Sequence, residues 1–220
     1  LGHELIGPLA PRGTIQPPVD LVVQRNYNPE GITSHNTVPG VLAIILSMTM
    51  VMVTSIAVTR EVEQGTMENL LATPLRPVEV MVGKIVPYLM IGVVQMVVSL
   101  LVASLVFHVP FVGTAALMVS ATLLFIAVSL ALGFTISTIA SNQLQAMYMS
   151  IFYMLPSILL SGFAFPYRGM PKWAQVLAEV LPVTHYLRLL RGIMLKGWDL
   201  AMAAGQLGAL AIMLLVLGFL

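Results

Sequence analysis

Charged residues are missing from three long stretches of this 220-residue sequence, and this pattern limits the possible folds more than any other feature. No Asp, Glu, Lys or Arg lies between Glu30 and Arg60, between Lys84 and Arg168, or after Asp199. A helix that crosses a membrane needs about 20 mostly apolar residues, because each residue adds about 1.5 Å along a hydrocarbon core about 30 Å thick. The first gap therefore has room for one such helix, and the second gap, of 83 residues, has room for three.

Two polar breaks divide the second gap, at His108-Val109-Pro110 and at Ser141-Asn142-Gln143. The sequence thus predicts five membrane-spanning helices, near 38–59, 85–107, 113–139, 147–165 and 200–220. The runs are continuously apolar and do not alternate as the strands of a membrane barrel do. Because only helices and closed barrels satisfy their backbone groups in lipid, the predicted fold class is an all-α integral membrane protein, a polytopic helical bundle.

The composition excludes other classes of protein. Hydrophobic residues make up 58% of the chain and charged residues 9%, whereas soluble domains have about a quarter charged residues. A formal net charge of +1 provides no basic surface for nucleic acid. The chain has no Cys, and no predicted span contains an acid or a base for catalysis. We therefore predict no catalytic residue, no metal site and no cofactor site in this chain.

Between the first two spans, the segment 60–84 combines acidic residues with a short amphipathic pattern. Met67, Leu70 and Leu71 fall on one face of a helix, and Pro74 ends the run. The pattern predicts a short helix at the membrane surface. It is equally compatible with a solvated connector that rests its apolar face on the bilayer.

The segment 166–199 is too charged to span a membrane, yet it contains two apolar helical patterns. Trp173 and Tyr186 favour the headgroup level, and Arg188, Arg191 and Lys196 are long enough to reach lipid phosphates. We predict short interfacial or re-entrant helices here.

Polar and small residues inside the spans suggest two further roles. Ser129, Gly133, Ser137 and Ser141 recur every four residues, which favours close helix packing within the chain over a dimer seam. The polar groups of the second predicted span are candidates for a substrate path or for hydrogen bonds to a neighbouring helix; they are Gln95, Ser99 and Ser104.

Several segments together resemble a known family. The longest segment is Arg60-Glu61-Val62-Glu63-Gln64-Gly65-Thr66-Met67-Glu68-Asn69-Leu70-Leu71-Ala72-Thr73-Pro74, which is followed by Gly83-Lys84-Ile85-Val86-Pro87-Tyr88. Before it stands Arg25-Asn26-Tyr27-Asn28-Pro29-Glu30, ahead of Val38-Pro39-Gly40. After it come Ser137-Thr138-Ile139-Ala140 with Gln143 and Gln145, and then the stretch from Leu160-Ser161-Gly162-Phe163 to Arg191-Gly192. In order and spacing they resemble the permease subunit of ABC-2 type exporters, most closely the bacterial multidrug efflux group. The likeness covers about residues 20 to 200.

The resemblance implies six spans in the intact protein, with one span upstream of this chain, and makes 1–37 a remnant of an extracytoplasmic domain. It implies a cytoplasmic coupling loop at 60–84, an extracytoplasmic loop at 166–199, and the cytoplasmic (inner) membrane of a bacterium. The implied partners are an ATP-binding cassette subunit, which holds ATP and Mg, a second permease copy or paralogue, and the lipid bilayer. The residues that would couple to the ATP-binding subunit are Glu61, Glu63, Gly65, Thr66, Met67, Glu68, Leu70 and Leu71.

The sequence contains no motif with which this chain could bind and hydrolyse ATP. A phosphate-binding loop needs Gly-x-x-x-x-Gly-Lys-Ser/Thr, but Gly83-Lys84 is followed by Ile85 and has Val78 in place of the first Gly. An ATP-driven system would therefore need a separate ATPase. An ion-coupled secondary transporter and a non-transporting scaffold remain alternatives.

The distribution of positive charge favours the opposite orientation to the family's. The 60–84 loop has three Lys/Arg and the other side of the membrane has seven, whereas the side with more Lys/Arg is usually the cytoplasmic one.

The expected function is export of a hydrophobic or amphipathic substrate, such as a drug-like, lipid or lipid-linked molecule.

Overall fold

The computed structural model describes residues 33–65 and 77–219, and within these ranges the chain forms helices and short connections without a strand. The helices are α1 (Thr33–Glu63), α2 (Pro77–Leu105), α3 (Ala115–Ile139), α4 (Gln143–Leu160), α5 (Lys172–Glu179), α6 (Pro182–Lys196) and α7 (Leu200–Gly218). A single 3-10 turn, Tyr167–Gly169, precedes α5. Five of the helices, α1 to α4 and α7, are long and apolar enough to cross a membrane, which confirms the predicted fold class.

Two of the helices that span the membrane extend beyond the apolar windows. α1 begins at Thr33 and continues to Glu63, past the predicted end at residue 59, and α2 begins at Pro77 instead of residue 85. Charged residues do not interrupt a helix where it leaves the hydrocarbon, so the charge gaps mark the membrane and not the helix ends. The predicted remnant domain at 1–37 lies outside the described residues except for 33–37, which belong to α1.

The predicted bounds of the fourth span, 147–165, are wrong at both ends. α4 begins four residues earlier because Asn142 caps it: the Asn142 side-chain oxygen accepts from the Gln145 backbone N–H at 2.8 Å. Gln145 Oε1 in turn accepts from the Ser141 N–H at 2.9 Å. The polar residues that the sequence presents as a break are therefore a helix start. At the other end, Gly162 has φ of +84°, and the chain turns away after Leu160.

α1 and α3 form the centre of the bundle. Half of the apolar window of each is buried, compared with 11% for α2 and α7. Met50 and Val51 of α1 and Phe125 and Ile126 of α3 are among the fully buried side chains. The outward faces of α2, α4 and α7 are apolar and exposed, as is expected of helices that face lipid or another protein.

The segment 166–199 was predicted to form interfacial or re-entrant helices, and it does form two short helices, α5 and α6. α6 is not interfacial: Tyr186 is buried and stacks on Phe125 with ring centroids 4.0 Å apart, and its hydroxyl lies 3.0 Å from that of Thr122. Since Thr122 is seven residues into α3, this contact lies about 10 Å below the start of that helix. α5 and α6 therefore form a re-entrant hairpin in which α6 enters the bundle, an arrangement tolerated where the backbone is buried in protein, whereas α5 buries only Ala174 and Ala178.

Candidate functional site

A hydrogen-bonded junction joins the end of α1 to the start of α4. The carboxylate oxygen Oε2 of Glu63 accepts from the Gln143 side-chain nitrogen at 3.0 Å and from the Gln143 backbone N–H at 3.2 Å. The 66–76 connection therefore leaves from a point fixed to the turn between α3 and α4. Two turns on one side of the bundle are held together, which gives a partner protein a defined surface to contact.

An open cleft of about 540 Å³ lies beside this junction. Its inner wall is the apolar side of α1, including Met52 and Ile56, and its mouth carries Arg60, Glu61 and Gln143. An apolar floor with a polar rim suits an amphipathic helix from a partner or from the same chain.

The residues predicted for coupling are only partly described. Glu61 is half-buried and lines the cleft, and Glu63 is exposed and forms the junction. Gly65 has φ of +68° and lies in the turn that ends α1, where a side chain would be strained. The remaining five lie outside the described residues: Thr66, Met67, Glu68, Leu70 and Leu71.

Gly133, in the middle of the predicted small-residue stripe, lies at the contact between α3 and α1. Ser129, Gly133 and Ser137 are buried. A Cβ added at Gly133 would lie 2.9 Å from the Val51 backbone oxygen, so the two helix backbones approach as closely as a glycine permits. Ser141 does not belong to the stripe: α3 ends at Ile139, and Ser141 is exposed in the following turn.

The candidate substrate-path residues separate into two places. Gln95 donates to the Thr49 hydroxyl at 3.2 Å, a bond between α2 and α1, and it lines an open cleft of about 550 Å³ together with Ser99. The other walls of this cleft are apolar. Ser104 is not among its lining residues; it is exposed near the end of α2 and donates to the Leu101 carbonyl at 3.2 Å.

A polar cluster in the re-entrant hairpin was not recognised from the sequence. The Glu179 carboxylate accepts two hydrogen bonds from Arg188, at 2.6 and 3.0 Å, and one from the Tyr167 hydroxyl at 2.6 Å. His185 is buried, with Nε2 2.9 Å from the Glu179 carbonyl oxygen and Nδ1 2.7 Å from the side chain of Gln206 on α7. The signal available in the sequence was a Glu and an Arg on either side of a Leu-Pro turn between two helices.

These contacts set the charges of the cluster. The hydrogen bonds from Arg188 hold the pKa of Glu179 below its usual range, against the opposing effect of burial. Burial pushes the pKa of Arg188 down, but the hydrogen bonds and charge of Glu179 outweigh this and leave it raised. Both groups are therefore charged at neutral pH. The guanidinium of Arg188, which was predicted to reach lipid phosphates, instead pairs with the Glu179 carboxylate.

Replacing Glu179 with glutamine is expected to lower the free energy of unfolding by about 1–2 kcal/mol, because a charged hydrogen-bond acceptor is lost. The effect is limited because the side chains of Glu179 and Arg188 are 41% and 27% exposed to solvent. Because its pKa is lowered on folding, Glu179 stabilises the protein above its ordinary pKa of about 4.3 and loses this effect as the pH falls through the lowered value. Thermal unfolding in detergent at pH 7 and pH 3 measures both effects. If the difference between wild type and variant is the same at the two pH values, the ion pair is not the cause.

The fold is that of an all-α membrane domain with five helices able to cross the bilayer in the part of the chain that the structure describes. The sequence profile of the family described as "ABC-2 type transporter" matches residues 19–195, and the chain belongs to this family.

Among its relatives, the "Probable multidrug ABC transporter permease YbhS" of Escherichia coli (strain K12) is 33% identical over 185 residues, which cover 84% of this chain and 49% of that protein. The "Probable multidrug ABC transporter permease YbhR" of the same strain is 34% identical, over 80% of this chain and 48% of that protein. The "ABC transporter G family member 20" of Dictyostelium discoideum is 29% identical over a region that covers 82% of this chain and 25% of that protein. The chain thus spans about half the length of the bacterial relatives. No solved structure matches it.

Proposed function

We propose that this chain is the membrane-spanning part of an ATP-driven exporter in a bacterial inner membrane. It moves a hydrophobic or amphipathic substrate out of the cytoplasm, and a separate ATP-binding subunit, which holds ATP and Mg, supplies the energy. The observation that carries this proposal is the junction between Glu63 and Gln143, because it fixes the base of the 66–76 connection to the neighbouring turn. A motion imposed on this surface would reach α1 and α4 together. ATP hydrolysis by that subunit, measured with and without this protein, tests the proposal.

Four of the five candidate spans contain no Asp, Glu, Lys or Arg, which supports ATP as the energy source; the Glu179–Arg188 pair and the buried His185 lie in the re-entrant hairpin, outside these spans. Ion-coupled transporters place Asp, Glu, Lys or Arg at membrane depth as relays or ligands. From Ile85 to Leu105, from Ala115 to Ile139, from Gln143 to Leu160 and from Leu200 to Gly218 the chain has no such residue. A second permease copy, or a paralogue, would cover part of the exposed apolar surface of α2, α4 and α7.

The disagreement between the charge count and a cytoplasmic 60–84 loop becomes smaller once the structure is considered. Of the seven Lys/Arg on the other side, Arg188 pairs with Glu179 and Arg191 donates to the Gly162 carbonyl, so neither is an ordinary loop charge. Arg12 lies 25 residues before the first candidate span, too far to weigh on its orientation. Four Lys/Arg (Arg25, Arg168, Lys172 and Lys196) then remain against three in the 60–84 loop, so the count opposes the family's orientation by one residue instead of four.

Cysteine labelling tests this orientation directly, because the chain has no cysteine of its own. Gln64 and Gly169 are both exposed, and a Cβ at Gly169 meets nothing within 4 Å. We expect Gln64→Cys to react with a membrane-impermeant thiol reagent only in opened cells, and Gly169→Cys to react in intact cells whose outer membrane has been permeabilised. The reverse pattern would show that the 60–84 loop is extracytoplasmic.

A further inference from the structure

A groove of about 420 Å³ lies between α2 and α7, with α3 as its floor. Both α2 and α7 pack against α3, and the groove is the space that they leave between them. The floor runs along one face of α3 from Ala127 to Thr138. One wall is formed by Leu89 and its neighbours on α2, and the other by Leu214 and Leu217 on α7. The groove therefore belongs to three candidate spans and to none of the sites described above.

The groove extends over about one half of the membrane thickness. Thr138 lies one residue before the end of α3, and Leu217 lies one residue before the end of α7. Ala127 comes eleven residues before Thr138, which corresponds to about 16 Å along the axis of α3. Because the hydrocarbon core is about 30 Å thick, the groove reaches from the membrane surface at the α3–α4 turn to about the middle of the bilayer.

The width of the groove fits one hydrocarbon chain and excludes a helix. A volume of about 420 Å³ over a length of about 16 Å gives a mean width of about 5 Å. An α-helix with its side chains is about 10 Å across, so a helix of a second copy would rest over the groove without entering it. Carbon atoms in contact are about 3.5–4.0 Å apart, so a chain of methylene groups can touch the floor and both walls at once.

The lining residues give a polar ligand nothing to bind. The Thr135 hydroxyl donates to the Ala131 carbonyl at 3.0 Å, and the Thr138 hydroxyl donates to the Thr135 carbonyl at 2.7 Å. Both hydroxyl hydrogens are therefore used within α3. The other lining residues are apolar, and no charged side chain is among them; all of them belong to the described ranges. An occupant of the groove gains dispersion contacts only, which suits hydrocarbon and not a headgroup.

We propose that this groove holds one acyl chain of a membrane lipid from the leaflet on the side of the α3–α4 turn. The chain contacts α2, α3 and α7 together and fills the space that the two walls leave open on α3. The headgroup lies beyond Thr138, where the groove ends, and the lining residues do not recognise it. The proposal does not depend on the energy source or on the direction of transport.

Photocrosslinking of the intact protein in lipid nanodiscs tests the proposal. The probe is phosphatidylcholine with a diazirine in the middle of one acyl chain, and mass spectrometry locates the crosslinked residues. Phe134 lines the groove, whereas Ile212 of α7 lies at a similar distance from its helix end and is exposed outside the groove. We expect about fivefold more crosslinking at Phe134 than at Ile212, because a chain in the groove makes contacts on three sides. Phosphatidylglycerol with the same chain should give the same pattern.

Filling the groove should remove the difference between these two residues. Ala131→Phe places a large apolar side chain on the floor, and we expect crosslinking at Phe134 to fall to the level of Ile212. The control is Ala204→Phe, the same change at an exposed position of α7 outside the groove, which should leave the pattern unchanged. If thermal unfolding shows that Ala131→Phe does not fold, Ala127→Leu fills the same floor with a smaller side chain.

Three results would overturn the proposal. The first is equal crosslinking at Phe134 and Ile212 in the wild type, and the second is undiminished crosslinking at Phe134 in a folded variant with a filled groove. The third is a strong preference for one of the two headgroups, because the groove would then not bind the acyl chain alone.

Discussion

Leu70→Asp is expected to abolish export while leaving membrane insertion and the fold intact. Leu70 belongs to the amphipathic pattern of the 60–84 loop, and we propose that this face enters a groove of the ATP-binding subunit. An unpaired carboxylate in a groove that excludes water costs several kcal/mol, which is enough to release the partner. Co-purification of the ATP-binding subunit with the tagged protein measures the contact, and export by cells measures the consequence.

The matched control is Leu177→Asp, the same change at an exposed position of α5, on the hairpin side of the bundle. It should retain the subunit and transport normally. If Leu70→Asp also binds its partner and transports at the normal rate, the loop is a surface connector, and the turn at Asn142 and Gln143 becomes the candidate contact.

Gly133→Val is expected to lower the free energy of unfolding by about 3 kcal/mol, at the upper end of the usual cost of overpacking. A Cβ at this position would lie 2.9 Å from the Val51 backbone oxygen and 2.8 Å from the Thr54 Cβ. Neither atom is at the end of a flexible side chain, so α1 and α3 must separate to make room. Thermal unfolding of the purified protein measures the loss.

Gly208→Val is the control, because a Cβ at Gly208 on α7 meets nothing within 4 Å while the change in helix propensity is the same. A similar loss in both variants would show that propensity, and not the close approach of α1 and α3, explains the effect. A normal stability of Gly133→Val would contradict the described packing.

The sequence predicted the fold well because the spans depend on one local property, the absence of charge over about 20 residues. It failed at the start of α4, where the same polar residues that suggest a break also form a helix cap. Composition cannot distinguish these two roles, since both use Asn, Gln and Ser. Ser141 was misassigned for a related reason. Small residues recur every four positions up to Ser141, but the helix ends at Ile139.

The local pattern predicted interfacial or re-entrant helices for 166–199, but it could not decide between the two. Arg188 resembles an interfacial residue until Glu179, nine positions earlier, is placed beside it by the turn at Leu181 and Pro182. Likewise His185 meets Gln206 only through tertiary packing. Long-range pairing of this kind decides whether a charged segment lies on a membrane or inside the protein.

The central claim, that this protein is driven by a separate ATP-binding subunit, is tested most directly by ATP hydrolysis in reconstituted proteoliposomes. The purified protein alone should hydrolyse no ATP above a protein-free control. The ATP-binding subunit should hydrolyse ATP faster when wild-type protein is present, and Leu70→Asp should remove this stimulation. Hydrolysis by the protein alone, or a subunit whose rate does not change when the wild-type protein is added, would contradict the account.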